Sequence, residues 1–89
     1  MAQIIVNPKD QRVFAQELES FVREIRDRER RLDAGMQELG GTWKDVRYKD
    51  FSRAVTDASV QLQIFYNTST RYADFLRRKA TAAEKFLRL

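Results

Sequence analysis

Histidine and cysteine are both missing from the 89 residues of this chain, and proline occurs once, at Pro8. Without cysteine there can be no disulfide, no thiolate nucleophile and no thiolate metal site. Without histidine the commonest general base and metal ligand is gone. Glycine is scarce too, at three residues, and no glycine-rich phosphate loop can be assembled from them. No apolar run approaches the roughly 18 residues needed to cross a bilayer. The opening Met1-Ala2-Gln3-Ile4-Ile5-Val6-Asn7 carries neither a basic leader nor an apolar core of signal-peptide length, which predicts that no cleaved N-terminal signal operates. The expected location is the cytoplasm, with any export independent of a cleaved leader. No nucleophile–base pair and no metal site can be put together, so the chain reads as non-enzymatic and free of cofactors.

What the chain has is charge and helical periodicity. Charged residues make up 34% of it with a net charge of +4, and the two signs are interspersed as on a salt-bridged helical surface. Asn7-Pro8-Lys9-Asp10 is a helix start, with asparagine as cap, proline in the first turn and an acid behind it. Ahead of it, Ile4-Ile5-Val6 reads as a short extended arm. From there Phe14, Leu18, Phe21, Ile25, Leu32 and Leu39 follow alternating steps of three and four, flanked by Val22 and Met36. That is the seam of a helix packed against near-antiparallel neighbours. Arg28 and Gly35 interrupt the seam. Arg28 either fixes register against a partner's acid or lays its stem on the seam with its head in water. Gly35 marks a bend or a close approach. The pairs Glu19–Arg23, Glu24–Arg28 and Asp27–Arg31 all stand acid-first at i,i+4, each worth about 0.2–0.5 kcal/mol.

The second half is more regular. Tyr48, Phe51, Val55, Ala58, Leu62, Phe65, Ser69, Tyr72, Leu76, Lys79, Ala83 and Phe86 step by three and four without a slip. Its weakest part is Thr68-Ser69-Thr70, the expected place for a bend. Between the halves lies Leu39-Gly40-Gly41-Thr42-Trp43-Lys44-Asp45. Gly40 and Gly41 can take positive φ and stop a helix. Thr42 can cap the next one, with Asp45 completing a capping-box-like start. The spacing predicts an all-α hairpin: helix 1 over about residues 8–39, a turn at 40–42 and helix 2 over about 43–87, in one domain. Trp43, as the first residue of helix 2, is expected either to plug the hairpin end against the seam or to serve as a contact residue for a partner protein. At about 1.5 Å per residue helix 2 would run near 65 Å, too long to stand without a covered face. One seam buries little, so association into a four-helix bundle is expected. The expected interface is Phe14, Leu18, Phe21, Ile25, Phe51, Val55, Leu62 and Phe65.

The segment L-G-G-T-W-K-D-x-x-Y-x-x-F, with Leu39, Gly40, Trp43, Tyr48 and Phe51, resembles the turn of the WXG family. These are small ESAT-like helical hairpins associated with type VII (ESX-type) secretion in bacteria. Phe14, Leu18, Phe21 and Ile25 suit that family's first helix. The resemblance spans about Asn7 to Leu87, although its specific part is a dozen residues. Asp45 stands where the family has glycine, a change that helix capping accounts for. The family's export signal, a tyrosine followed four residues later by an acid, is not written here: Tyr66 is followed by Thr70 and Tyr72 by Leu76. The resemblance implies a non-enzymatic hairpin that pairs with itself or with a sister hairpin or effector domain, and that meets secretion machinery. Two other readings fit the composition. One is a small basic nucleic-acid-associated helical dimer, resting on Arg71, Arg77, Arg78, Lys79, Lys85 and Arg88, against which stands the plainer account of a solvated helix end. The other is a coiled-coil adaptor unrelated to secretion. Tyr66, Tyr72 and Phe75 read as packing residues.

Overall fold

The computed structural model describes residues 7–43 and 45–87. The arm expected at Ile4-Ile5-Val6, together with Lys44, Arg88 and Leu89, lies outside the described residues. Two helices, α1 (Pro8–Thr42) and α2 (Val46–Leu87), run antiparallel as an all-α hairpin. It measures 62 × 26 × 13 Å. Neither helix is long and apolar enough to cross a membrane.

The first helix begins as its sequence predicts. Asn7 is extended, and its Oδ1 accepts from the Asp10 amide at 3.2 Å, satisfying one of the donors that every helix N-terminus leaves open. The reversal, however, falls between Thr42 and Val46, later than the spacing predicts. Gly40 and Gly41 do not stop α1. Both are helical, neither has positive φ, and the helix continues to Thr42. The expected role of Thr42 as cap is also corrected, because its hydroxyl donates back to the Leu39 carbonyl at 3.3 Å. Trp43 ends α1 in extended backbone, its amide donating to that same carbonyl at 2.7 Å. The cap of α2 is Asp45, whose Oδ1 accepts from the Tyr48 amide at 2.7 Å. Helix 2 then runs unbroken through Thr68-Ser69-Thr70. Thr70 turns its hydroxyl onto the Tyr66 carbonyl at 3.0 Å, a local bond of the kind mid-helix threonines make.

Between the helices the seam is built from small side chains. Ala15, Val22, Tyr66, Ser69, Ala73, Leu76 and Ala80 are the buried core, and Ala15, Ala73 and Leu76 form one cluster. Alanine at these positions lets the backbones approach closely. Each such residue removes little apolar surface from water, at about 0.8 kcal/mol per buried carbon. The hairpin is held shut by a narrow core.

Candidate interaction surface

Both helices carry three adjacent heptad columns. The inner one is Ala15, Val22, Glu29 and Met36 on α1 and Ser52, Ser59, Tyr66, Ala73 and Ala80 on α2. It faces the other helix and is buried or half-buried. Next to it lies a shared column, Leu18, Ile25 and Leu32 with Val55, Leu62, Ser69 and Leu76. The outer column is Phe14, Phe21, Arg28 and Gly35 with Phe51, Ala58, Phe65, Tyr72 and Lys79. All nine of these residues are exposed.

The expected interface residues therefore divide. Phe14, Phe21, Phe51 and Phe65 are exposed, and Leu18, Ile25, Val55 and Leu62 are half-buried between the two faces. None of the eight belongs to the fully buried seam. The eight were expected to face a second hairpin, and within the chain the contact between the helices is made by the neighbouring inner column. Tyr66, expected as a packing residue, is buried; the seam residues that the sequence reading leaves out, Ala15, Ala73 and Ala80, do have a heptad signature, but small side chains score weakly against phenylalanine.

The flanks of the seam differ. On one side two ion pairs bridge the helices near the open end, Arg12 with Glu84 and Arg77 with Glu19. Arg12 also donates to the Thr81 hydroxyl at 3.0 Å, and the second arm of the Arg77 fork reaches Glu19 at 2.9 Å. Hydrogen bonding from their arginines holds the Glu19 and Glu84 carboxyls below the usual carboxylate range. The same contacts push both guanidinium groups up. Glu19 was expected to pair with Arg23. It reaches Arg77 instead because both project from the same flank, and Arg23 donates to Ser20. The other two expected pairs are present, Arg28–Glu24 at 3.2 Å and Arg31–Asp27 at 2.8 Å.

Further along this flank Tyr66, 2% exposed, donates to Glu29 at 2.9 Å, and the Arg26 guanidinium lies 4.6 Å from its ring centre. Burial, and then the bond to Glu29, push the Tyr66 phenol up.

The opposite flank is apolar and open. Phe21 and Phe65 meet edge to face at 6.2 Å, and Tyr72 stacks on Phe75 at 6.0 Å. Beyond the phenylalanine pair, Ile25, Arg28, Leu32, Val55, Ala58 and Leu62 line an almost wholly apolar groove. Phe14, Phe21, Leu32, Leu39, Phe51, Phe65 and Tyr72 are all exposed along this one side. Exposed apolar patches on small proteins are associated with interaction sites and with aggregation-prone faces alike.

At the tip the expected turn residues have separate roles. Gly40 is buried under Tyr48, whose hydroxyl donates to the Met36 carbonyl at 2.9 Å, while Gly41 faces open space. Trp43 is 58% exposed and plugs nothing. Of the basic cluster, Arg77 is used by Glu19 and Lys79 sits 5.6 Å from the Phe75 ring centre, while Arg71, Arg78 and Lys85 are exposed. No group of three or more acidic, histidine or cysteine side chains is placed to hold a metal among the described residues. No protein-family model, no curated protein and no solved structure matches this chain.

Proposed function

We propose that this protein is a non-enzymatic helical-hairpin interaction module of the WXG kind, completing a four-helix bundle with a second hairpin. In this reading it serves as a substrate of a type VII secretion machine or as the helical partner of a secreted effector. The supporting observation is the asymmetry of the hairpin. Ion pairs flank one side of the seam, and a row of exposed aromatic and aliphatic side chains runs along the other. A free monomer gains nothing from that row, since exposed apolar patches of this size favour association or aggregation.

The test is the solution mass of the purified chain by light scattering, with circular dichroism alongside. A cooperative, highly helical species of twice the 10.5 kDa chain mass is expected. The Phe21→Asp and Phe65→Asp variants should return the mass to that of one chain. A compact monomer in the unmodified protein, with the face left open, would sink the self-paired form of the reading. The secretory part has its own test: export into the medium by a bacterium with an intact type VII system, lost when its ATPase is deleted. Retention of a well-formed dimer inside the cell would leave an adaptor role only.

A further inference from the structure

The ion-pair ladder on the polar flank has a missing rung, and we infer that the gap is an anion-binding cleft. It takes a phosphate group between Arg23, Arg26 and the hydroxyl of Ser69.

Arg12 faces Glu84 across the seam, and one heptad further along each helix Glu19 faces Arg77. A further heptad in the same register sets Arg26 across from Thr70. These two line one cleft of about 170 Å³ together with Glu19, Val22, Arg23 and Ser69. Threonine has no charge to answer the guanidinium. Among the described residues neither Arg26 nor Arg23 makes an ion pair. Arg26 lies over the Tyr66 ring, 4.6 Å from its centre, a contact that engages the face of the guanidinium and leaves its in-plane N–H groups to donate. Arg23 gives one nitrogen to Ser20 and keeps the rest of its fork. The carboxylate on the cleft wall is already answered, because both arms of the Arg77 fork hold Glu19. Arg23, Arg26 and Arg77 against Glu19 leave an excess of two positive charges. That matches the charge of about −2 on a phosphate group near neutral pH. In the next cleft, on the other side of Arg26, Glu29 and Asp33 stand with Arg30, and the charges cancel.

Ser69 is an independent sign of a ligand. It is 6% exposed, and its hydroxyl makes no hydrogen bond among the described residues. Gln11 Oε1 is the side-chain atom closed off without a partner, so the Ser69 oxygen is not sealed and reaches the cleft that it lines. A buried hydroxyl is costly until something completes it, and an anion oxygen in the cleft accepts from it. Thr70 cannot take that part, because its own hydroxyl donates to the Tyr66 carbonyl. The cleft has room for several waters at about 30 Å³ each, and therefore for one tetrahedral anion held by two guanidinium forks and a hydroxyl. It opens on the flank away from the Phe21–Phe65 row, so a partner seated on that row leaves it uncovered.

The test is calorimetric titration of the purified chain with sodium phosphate, at constant ionic strength so that general screening is fixed. Saturable binding at one site per chain is expected. Arg26→Gln should weaken it about tenfold or more, as the loss of a charge-assisted hydrogen bond does. Arg78→Gln, which removes the same charge from an exposed position, should leave it unchanged. Equal weakening in the two variants would reduce the effect to net charge and overturn the site. Ser69→Ala separates binding from packing. Without phosphate its melting temperature should hold or rise, because an unpartnered buried hydroxyl is gone, while phosphate binds about fivefold more weakly or worse. Undiminished phosphate binding in Ser69→Ala would overturn the placement in this cleft. A phosphoserine tripeptide titrated in parallel identifies the source. Tighter binding than inorganic phosphate assigns a phosphorylated side chain, and equal or weaker binding assigns the free ion. Saturable binding of neither would overturn the proposal.

Discussion

Gly40 and Tyr48 fix the turn end between them. A Cβ built on Gly40 would meet the Tyr48 hydroxyl oxygen closer than real Cβ contacts allow, and would stand 3.0 Å from Cζ of the ring. The Gly40→Ala variant must therefore swing Tyr48 out and break its bond to Met36. A loss of about 1–2 kcal/mol is expected in thermal or urea unfolding. Gly41→Ala, with open space above it, should be neutral or slightly stabilising. Equal effects at the two sites would remove Tyr48 from this role. Trp43 gives the opposite expectation from its prominence in the sequence. With its side chain 58% exposed and its amide already paired, Trp43→Ala should shift stability by less than about 1 kcal/mol. A larger loss would place the indole in a contact that only the assembled protein makes.

At the level of the elements, the two helices are joined by groups that titrate at opposite ends of the pH scale. Glu19 and Glu84 have lowered pKa values in the folded state, so their contribution is present above the ordinary carboxylate value of 4.5. It is lost as pH falls below that value through their folded pKa. Each pair is about a third exposed or more, so the loss should be modest and reduced by salt. The melting temperature is therefore expected to drop below about pH 4.5, with a smaller drop in Glu19→Gln. Identical acid profiles would remove the Glu19–Arg77 pair as a contributor. Tyr66 works in reverse. Its raised phenol contributes fully below its ordinary value of 10.0 and loses that contribution as pH rises through its folded pKa. Tyr66→Phe should cost about 1 kcal/mol near neutral pH and flatten the alkaline decline. An alkaline decline unchanged in that variant would assign it to another group.

For the whole molecule, a narrow seam beside a broad open face, read as proposed above for a self-pairing hairpin, ties stability to assembly. The apparent melting temperature should rise with protein concentration, as it does whenever the folded state is the form that associates. A concentration-independent melt would mean that the hairpin stands on its own seam.

The sequence by itself determined the helices, the cap at Asn7, the approximate place of reversal and the all-α hairpin, because local periodicity and capping chemistry suffice for these. Phe14, Phe21, Phe51 and Phe65 were legible as one continuous stripe. Only the tertiary structure decided what that stripe faces. Two adjacent heptad columns compete for the intrachain seam, and hydrophobicity alone favours the aromatic one. The smaller column wins because Ala15, Ala73 and Ala80 let the backbones come close, while Arg12–Glu84 and Arg77–Glu19 lock that rotation from the side. Such pairs join residues 72 and 58 positions apart, and no local pattern encodes them. The turn shifted for a similar reason: Gly40 reads as a helix stop in isolation, yet its missing side chain makes room for Tyr48, which belongs to the other helix.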